Sequence, residues 1–233
     1  MQRYANDRTI NFKTKLGKIL AFGGVGIVII IFILSFQDGM LTNLLLIVTV
    51  IGMLLFQYGY FLYNRWGKHP RIDEIFEQAL KGLDSRYSIF HYELGTNHVL
   101  IGPGGIFALV PVFIDGEITF NGNRWWRTRI RRGKEQKRAL KNLTADAENE
   151  LRSLTKTLQK KLIDQEIPKI KPILVFLHSG ATVNADNAPI PAVHLKKLKA
   201  AIRKFDKGQT LDQAEVLQLA DLLGFKTYKP SIE

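Results

Sequence analysis

The chain has 233 residues, 46 % of them apolar and 23 % charged, an average globular mixture with room for one ordinary domain and a small appendage. It contains no cysteine, which excludes disulfides and thiolate metal sites, and its five histidines, at positions 69, 91, 98, 178 and 194, lack ligand spacing, so no zinc site is expected. The formal net charge is +12, and because residues 1–63 hold five basic and two acidic side chains, about +9 belongs to the remainder.

Residues 1–18 form a basic N-terminal segment carrying Arg3, Arg8, Lys13, Lys15 and Lys18. No charged residue occurs in 19–36 or in 41–63, runs of 18 and 23 residues. At about 1.5 Å rise per residue, each crosses or nearly crosses a hydrocarbon layer of about 30 Å. Neither run has the polar stripe of a buried core helix. The first is long for a signal peptide, lacks a small-residue cleavage site and is followed at once by the second. Residues 19–64 therefore read as a transmembrane helical hairpin. Basic residues flank it on both outer sides, with Arg65, Lys68 and Arg71 after the second run and none in the 37–40 link. Both termini are thus expected in the cytoplasm, with Tyr58, Tyr60, Tyr63 and Trp66 in an interfacial belt. No ionisable side chain lies inside either run, which argues against a proton relay or transport path. Gly23, Gly24, Gly26 and Gly52 permit close helix packing, although the first three do not form an i, i+4 pair.

A cytoplasmic domain is expected over 70–225, with a tail at 226–233. Pro70 opens a short amphipathic helix marked by Ile72, Ile75, Phe76, Ala79, Leu80 and Leu83. Residues 87–92 read as a strand, and the segments on either side of Gly102-Pro103-Gly104-Gly105 as a hairpin. A further hairpin is expected over 116–120 and 123–130, turned at Asn121-Gly122. A long helix follows over about 137–162, with Leu140, Leu143, Ala147, Leu151, Leu154, Leu158 and Leu162 on one face. Residues 170–177 are almost wholly apolar, as in a strand covered on both faces. A polar loop with Gly180 and Asn187, a short strand at 190–193 and a helix at 194–205 come next. Thr210 is expected to cap a last helix over 211–223, stopped by Gly224. This order gives a mixed α+β, α/β sheet flanked by helices and preceded by the transmembrane hairpin.

Asn97-His98, then Ile101-Gly102-Pro103, Gly105-Ile106-Phe107-Ala108-Leu109, Gly116 and Trp125-Trp126 together resemble the nuclease-related domain (NERD) family, over about 72–223. That family is a branch of the restriction-endonuclease-like fold and typically reads D-H-x-x-V-G-P-x-G-V-F-V-I-E-x-K. The resemblance implies metal-dependent phosphodiester hydrolysis, with an Asp and a Glu holding a divalent cation and a Lys two residues on orienting water. Side chains two apart on a strand share a face, so such residues converge on one metal. Here the Asp position is Asn97, the Glu position Val110 and the Lys position Val112, so all three are replaced. The resemblance then implies a retained fold without cleavage and without a cofactor. The alternative is a divergent nuclease using Mg or Mn, with Asp73, Glu74 and His98 as relocated candidates; the other reading of His98 is a structural histidine.

The densest basic stretch runs through Arg124, Trp125, Trp126, Arg127, Arg129, Arg131, Arg132 and Lys134 to Lys137, Arg138 and Lys141, interrupted by Glu135 alone. Three readings stand side by side: a solvated strand edge that discourages pairing, with alternation burying one tryptophan; a site for anionic lipid headgroups; and a site for nucleic acid, with exposed tryptophan as a stacking surface. The expected partners are the bilayer itself and one of these polyanions. Lys196, Lys197, Lys199, Arg203, Lys204 and Lys207 form a second cluster, read as the solvent face of a helix.

Overall fold

The computed structural model describes residues 1–36, 42–162, 167–208 and 211–223. It divides into two compact units: Asn6–Arg71, and Met1–Ala5 together with the chain from Ile72 onward.

The first unit is a pair of helices, α1 (Asp7–Leu34) and α2 (Thr42–Trp66). Asn6 caps α1 by accepting a hydrogen bond from the Thr9 amide at 2.9 Å. Helix α1 therefore starts well before the apolar run, and Arg8, Lys13, Lys15 and Lys18 lie on its first turns rather than in a free tail. The buried positions of α1 are Ile10, Gly17, Gly24 and Ile31, a seven-residue repeat that keeps one seam facing the partner helix. A methyl group at Gly24 would lie 2.5 Å from the Phe56 backbone nitrogen, and one at Gly59 would lie 2.3 Å from that of Ala21. Glycine is what lets the backbones touch there. Gly23 and Gly26 face open space, so the glycines that matter are Gly17 and Gly24 against Gly59 and Gly52. The outward side chains are apolar and exposed, Phe22 at 76 % and Leu46 at 61 % among them. Lys13 lies over the Trp66 ring at 4.3 Å, and the Thr14 hydroxyl donates to the Trp66 carbonyl.

The second unit is a three-layer sandwich with a smaller sheet at one end. Its main sheet contains β1 (Gln2–Ala5), β2 (Ser88–His91), β3 (His98–Gly102), β4 (Gly105–Val112), β8 (Ile170–Phe176) and β10 (Ala192–His194), in that order across the sheet. Strands β2 and β4 each run antiparallel to β3 between them; β1 joins β2, β8 joins β4 and β10 joins β8 in parallel. Helices α3 (Ile72–Leu80) and α5 (Leu198–Asp206) cover one face, packing Phe76, Leu80, Leu198 and Ile202 on Ile89, Leu100, Phe107 and Leu109. Helices α4 (Leu143–Lys161) and α6 (Gln213–Leu223) cover the other, over Phe90, Val99, Ile101 and Ala108. Successive residues of one strand go to opposite layers, as a pleated ribbon requires. The smaller sheet consists of β7 (Lys134–Ala139), β6 (Arg124–Arg131), β5 (Gly116–Asn121) and β9 (Ala181–Asn184). It closes the end of the core through Ile118 and Trp125, which pack with Val110, Val112, Leu143 and Phe176.

Several expectations need correction. Residues 134–139 are a strand, and the helix expected from 137 begins only at Leu143, where Asn142 caps it. The hairpin turn lies at Gly122-Asn123, one residue later than expected, with both φ near +58° (57° and 59°). Arg132-Gly133 makes a second such turn, φ 52° and 72°, the conformation that matches the twist of adjacent strands. The segment read as a polar loop contains β9. Residues 2–5 form a strand of the domain's own sheet. His194 caps a single 3₁₀ turn, Leu195–Lys197, before α5. Thr210 and Gly224 lie outside the described residues; Asp212 caps α6 instead, exchanging hydrogen bonds with Glu215 at 2.7 and 2.8 Å in a capping box.

Candidate functional site

Three groups of side chains bear on function. The first surrounds the positions that the nuclease resemblance assigns to a metal. Val110 and Val112 point into the core and are nearly covered, 8 % and 6 % exposed. Beyond Ala108, strand β4 pairs with β8 alone, so Pro111 sits where no donor to β3 is needed. Asn97 stands at the start of β3 and donates to the Glu150 carboxylate of α4 at 3.2 Å, while Thr96 donates to the other oxygen of the same group. Beside the two valines the described residues bring together one carboxylate and one amide, a sparser set than the Asp, Glu and Lys that the resemblance implies. Asp73 and Glu74 do not complete it, because α3 lies on the opposite face of the sheet. Among the described residues no group of three His, Asp or Glu side chains is placed to hold a metal.

The second group is a buried polar cluster under α3. His91 and His98 are directly opposed across β2 and β3 and are both fully buried, their Nδ1 atoms 2.8 Å apart. One Nδ1 must donate and the other accept. His91 Nε2 lies 3.4 Å from a Glu77 oxygen, which also accepts from Arg3 Nε at 2.6 Å. If the His91 Nε2–H faces Glu77, its Nδ1 accepts from His98. Burial alone would raise the Glu77 pKa, but hydrogen bonds from His91 and Arg3 outweigh it and hold the carboxyl below its ordinary value. Asp73 is fully buried, with Arg3 at 4.0 Å, and the Phe76 ring packs on His98 at 4.9 Å. The cluster thus joins β1, α3, β2 and β3. His98, singled out from sequence, belongs here; its partners His91, Glu77 and Arg3 were not singled out. The signal was available, because positions 91 and 98 flank the β2–β3 connection symmetrically and a hairpin register brings them together.

The third group is the basic ribbon of β6 and β7. Cross-strand partners share a face, so the register assigns Arg127, Arg129 and Arg131, with Arg138, Gln136 and Lys134, to one side. The other side carries Arg124, Trp126, Thr128 and Ile130 with Ala139, Lys137 and Glu135. Every residue of β7 is exposed. Asp115 anchors the ribbon's base: it pairs with both Arg127 and Arg129, and its backbone carbonyl accepts from Arg127 Nε at 2.9 Å. Hydrogen bonds from Arg129, then from Arg127, hold its carboxyl down at about 2. Among the described residues, Arg131, Arg132 and Lys134 have no carboxylate within ion-pairing distance. Trp125 is not on the surface: it is 1 % exposed and donates to the Thr144 hydroxyl at 2.9 Å. Trp126 is half-buried, donates to the Asn121 carbonyl and has Lys137 above its ring at 5.2 Å. The neighbouring groove, about 490 Å³, is lined by Asp115, Glu117 and Glu135 as well as Arg129, Ile130 and His178, so carboxylates outnumber cations in it.

No protein-family model matches the chain, and no curated protein or solved structure matches it significantly.

Proposed function

We propose that this chain is a membrane-anchored binding module with a NERD-like, restriction-endonuclease-like domain that does not cleave phosphodiesters, and that its basic ribbon receives a phosphate-rich polyanion. The observation that carries this reading is the register of β6 and β7, which lines cationic side chains along one side of an exposed two-stranded projection. Phosphate oxygens are the natural partners of such a row, and release of their counterions makes the binding salt-sensitive. The antiparallel β2–β3–β4 run, continued in parallel by β8 after α4, supports the fold assignment. The valines at 110 and 112 support the inactive reading, since a chain that kept the scaffold for cleavage needs acids where this one packs a core.

The anchor is the α1–α2 pair, two helices long and apolar enough to cross a membrane. Strand β1 precedes α1 yet pairs with β2, so the chain leaves the domain at Asn6 and returns to it at Ile72. In a bilayer, both outer ends of the pair then lie on one side, and the flanking Lys and Arg residues favour the cytoplasm.

One observation favours a second reading. Glu150 approaches Asn97, so a divergent nuclease could draw on this carboxylate. Incubating the chain with single- and double-stranded DNA and RNA in Mg or Mn separates the two. The binding-module reading expects intact nucleic acid at every time point; cleavage that disappears in Glu150→Ala overturns it.

A further inference from the structure

Resting on the reading of the ribbon as a polyanion site, we infer that its tip docks on an anionic bilayer surface, with Ile130 entering the headgroup layer while Arg131, Arg132 and Lys134 hold lipid phosphates. Ile130 is 82 % exposed, more than any other large apolar side chain described, including those on the outward faces of α1 and α2. It sits one residue from the tip turn, on the ribbon face opposite Arg129 and Arg131, where it also borders the groove beside β5. Folding gains nothing from an aliphatic side chain held in water on an open strand, and the cations around it keep the ribbon from pairing with another sheet.

A bilayer interface supplies both halves of what this tip displays: phosphates for the guanidinium and ammonium groups, and an apolar layer just beneath for the isoleucine. Nucleic acid supplies only the first. Its bases would need aromatic faces, and here Trp125 is inside the core while Lys137 stands over Trp126. Glu135, opposite Ile130, is the one carboxylate at the tip, against the three cations named. Residues 67–71 are the whole covalent link from Trp66 to Ile72, so a bilayer that holds the helices is a surface the domain meets at high effective concentration.

The chain lacks cysteine, so Ile130→Cys carries a unique environment-sensitive fluorophore. The full chain is reconstituted in nanodiscs of pure phosphatidylcholine and in nanodiscs of equal parts phosphatidylcholine and phosphatidylserine. Docking predicts a blue-shifted, quencher-protected label in the phosphatidylserine discs alone. The protection should fall as salt rises, and roughly fivefold or more for each of Arg131→Glu, Arg132→Glu and Lys134→Glu. An unchanged far-ultraviolet circular dichroism spectrum and unfolding midpoint show that these variants remain folded. A label that stays solvent-exposed in both discs, while the chain in phosphatidylcholine discs binds a single-stranded oligonucleotide through the same three residues, overturns the lipid inference and leaves the ribbon reading standing. Indifference to both lipid and oligonucleotide overturns both.

Discussion

His98 is the residue whose meaning changes most between sequence and structure. Beside a position that the family resemblance would assign to a metal ligand it invites a catalytic role, yet it is fully buried, bonded to His91 and packed on Phe76. Replacing it leaves a buried imidazole of His91 without its 2.8 Å partner and opens a cavity. His98→Ala should therefore cost about 2–4 kcal/mol of stability without changing polyanion affinity per folded molecule, as read by chemical unfolding alongside a binding isotherm. A loss of affinity at full stability would move His98 back into the binding machinery. Asp115 makes a pH prediction. Its folded pKa of about 2 lies below the ordinary value of 3.8, so its contribution to ribbon order is complete above that ordinary value and is lost as pH falls through about 2. NMR titration of the carboxyl should find the low midpoint in the native chain and a value moved back toward 3.8 in Arg129→Ala.

At the scale of elements, the segments legible in the sequence were those whose pattern is set by burial: the two apolar helices, α3, the β3–β4 hairpin across Pro103-Gly104, and β8 with both faces covered. The misread ones lack that signature. Strand β7 is exposed along its whole length, so its side chains carry no apolar alternation, and the helical spacing that starts at Leu140 could be extended backward over it. Strand β1 is hidden for a different reason. Its partner is 86 residues away in register, Gln2 opposite Ser88, and no local pattern reports such a pairing. Of the candidate site, the charge of the ribbon could be read from composition, but its division into two faces, and the burial of Trp125, required the register. Two predictions belong here. If residues 1–18 were a free basic tail, Arg3→Glu would be silent; placed beside Asp73 and Glu77 under the edge of the sheet, it should cost about 2 kcal/mol, measured as a lowered unfolding midpoint of the full chain. In the helix pair, Gly59→Ala puts a methyl group against the Ala21 backbone and should cost about 1–3 kcal/mol in detergent unfolding, whereas Gly23→Ala, which meets nothing within 4 Å, should be neutral. Equal effects would contradict the glycine seam.

The described chain is a domain interrupted after its first strand by a helical pair, so the two units are joined at two points in the chain, Asn6 and residues 67–71. This arrangement makes the helical pair an insertion within the domain, and it gives residues 2–5 a structural duty in the sheet. On the same domain, the ground that the family resemblance assigns to cleavage is filled by Val110, Val112, Trp125 and Leu143, and a row of cationic side chains lies on the ribbon of β6 and β7. The proposed polyanion site is this ribbon. The most direct test titrates linear polyphosphate into the full chain held in neutral nanodiscs, at several salt concentrations, for the native protein and for a variant with Arg131, Arg132 and Lys134 all changed to Glu. The native chain should bind with an affinity that falls steeply as salt rises, and the charge-reversed chain, still folded, should not bind measurably. The same affinity and the same salt slope in both would contradict the account.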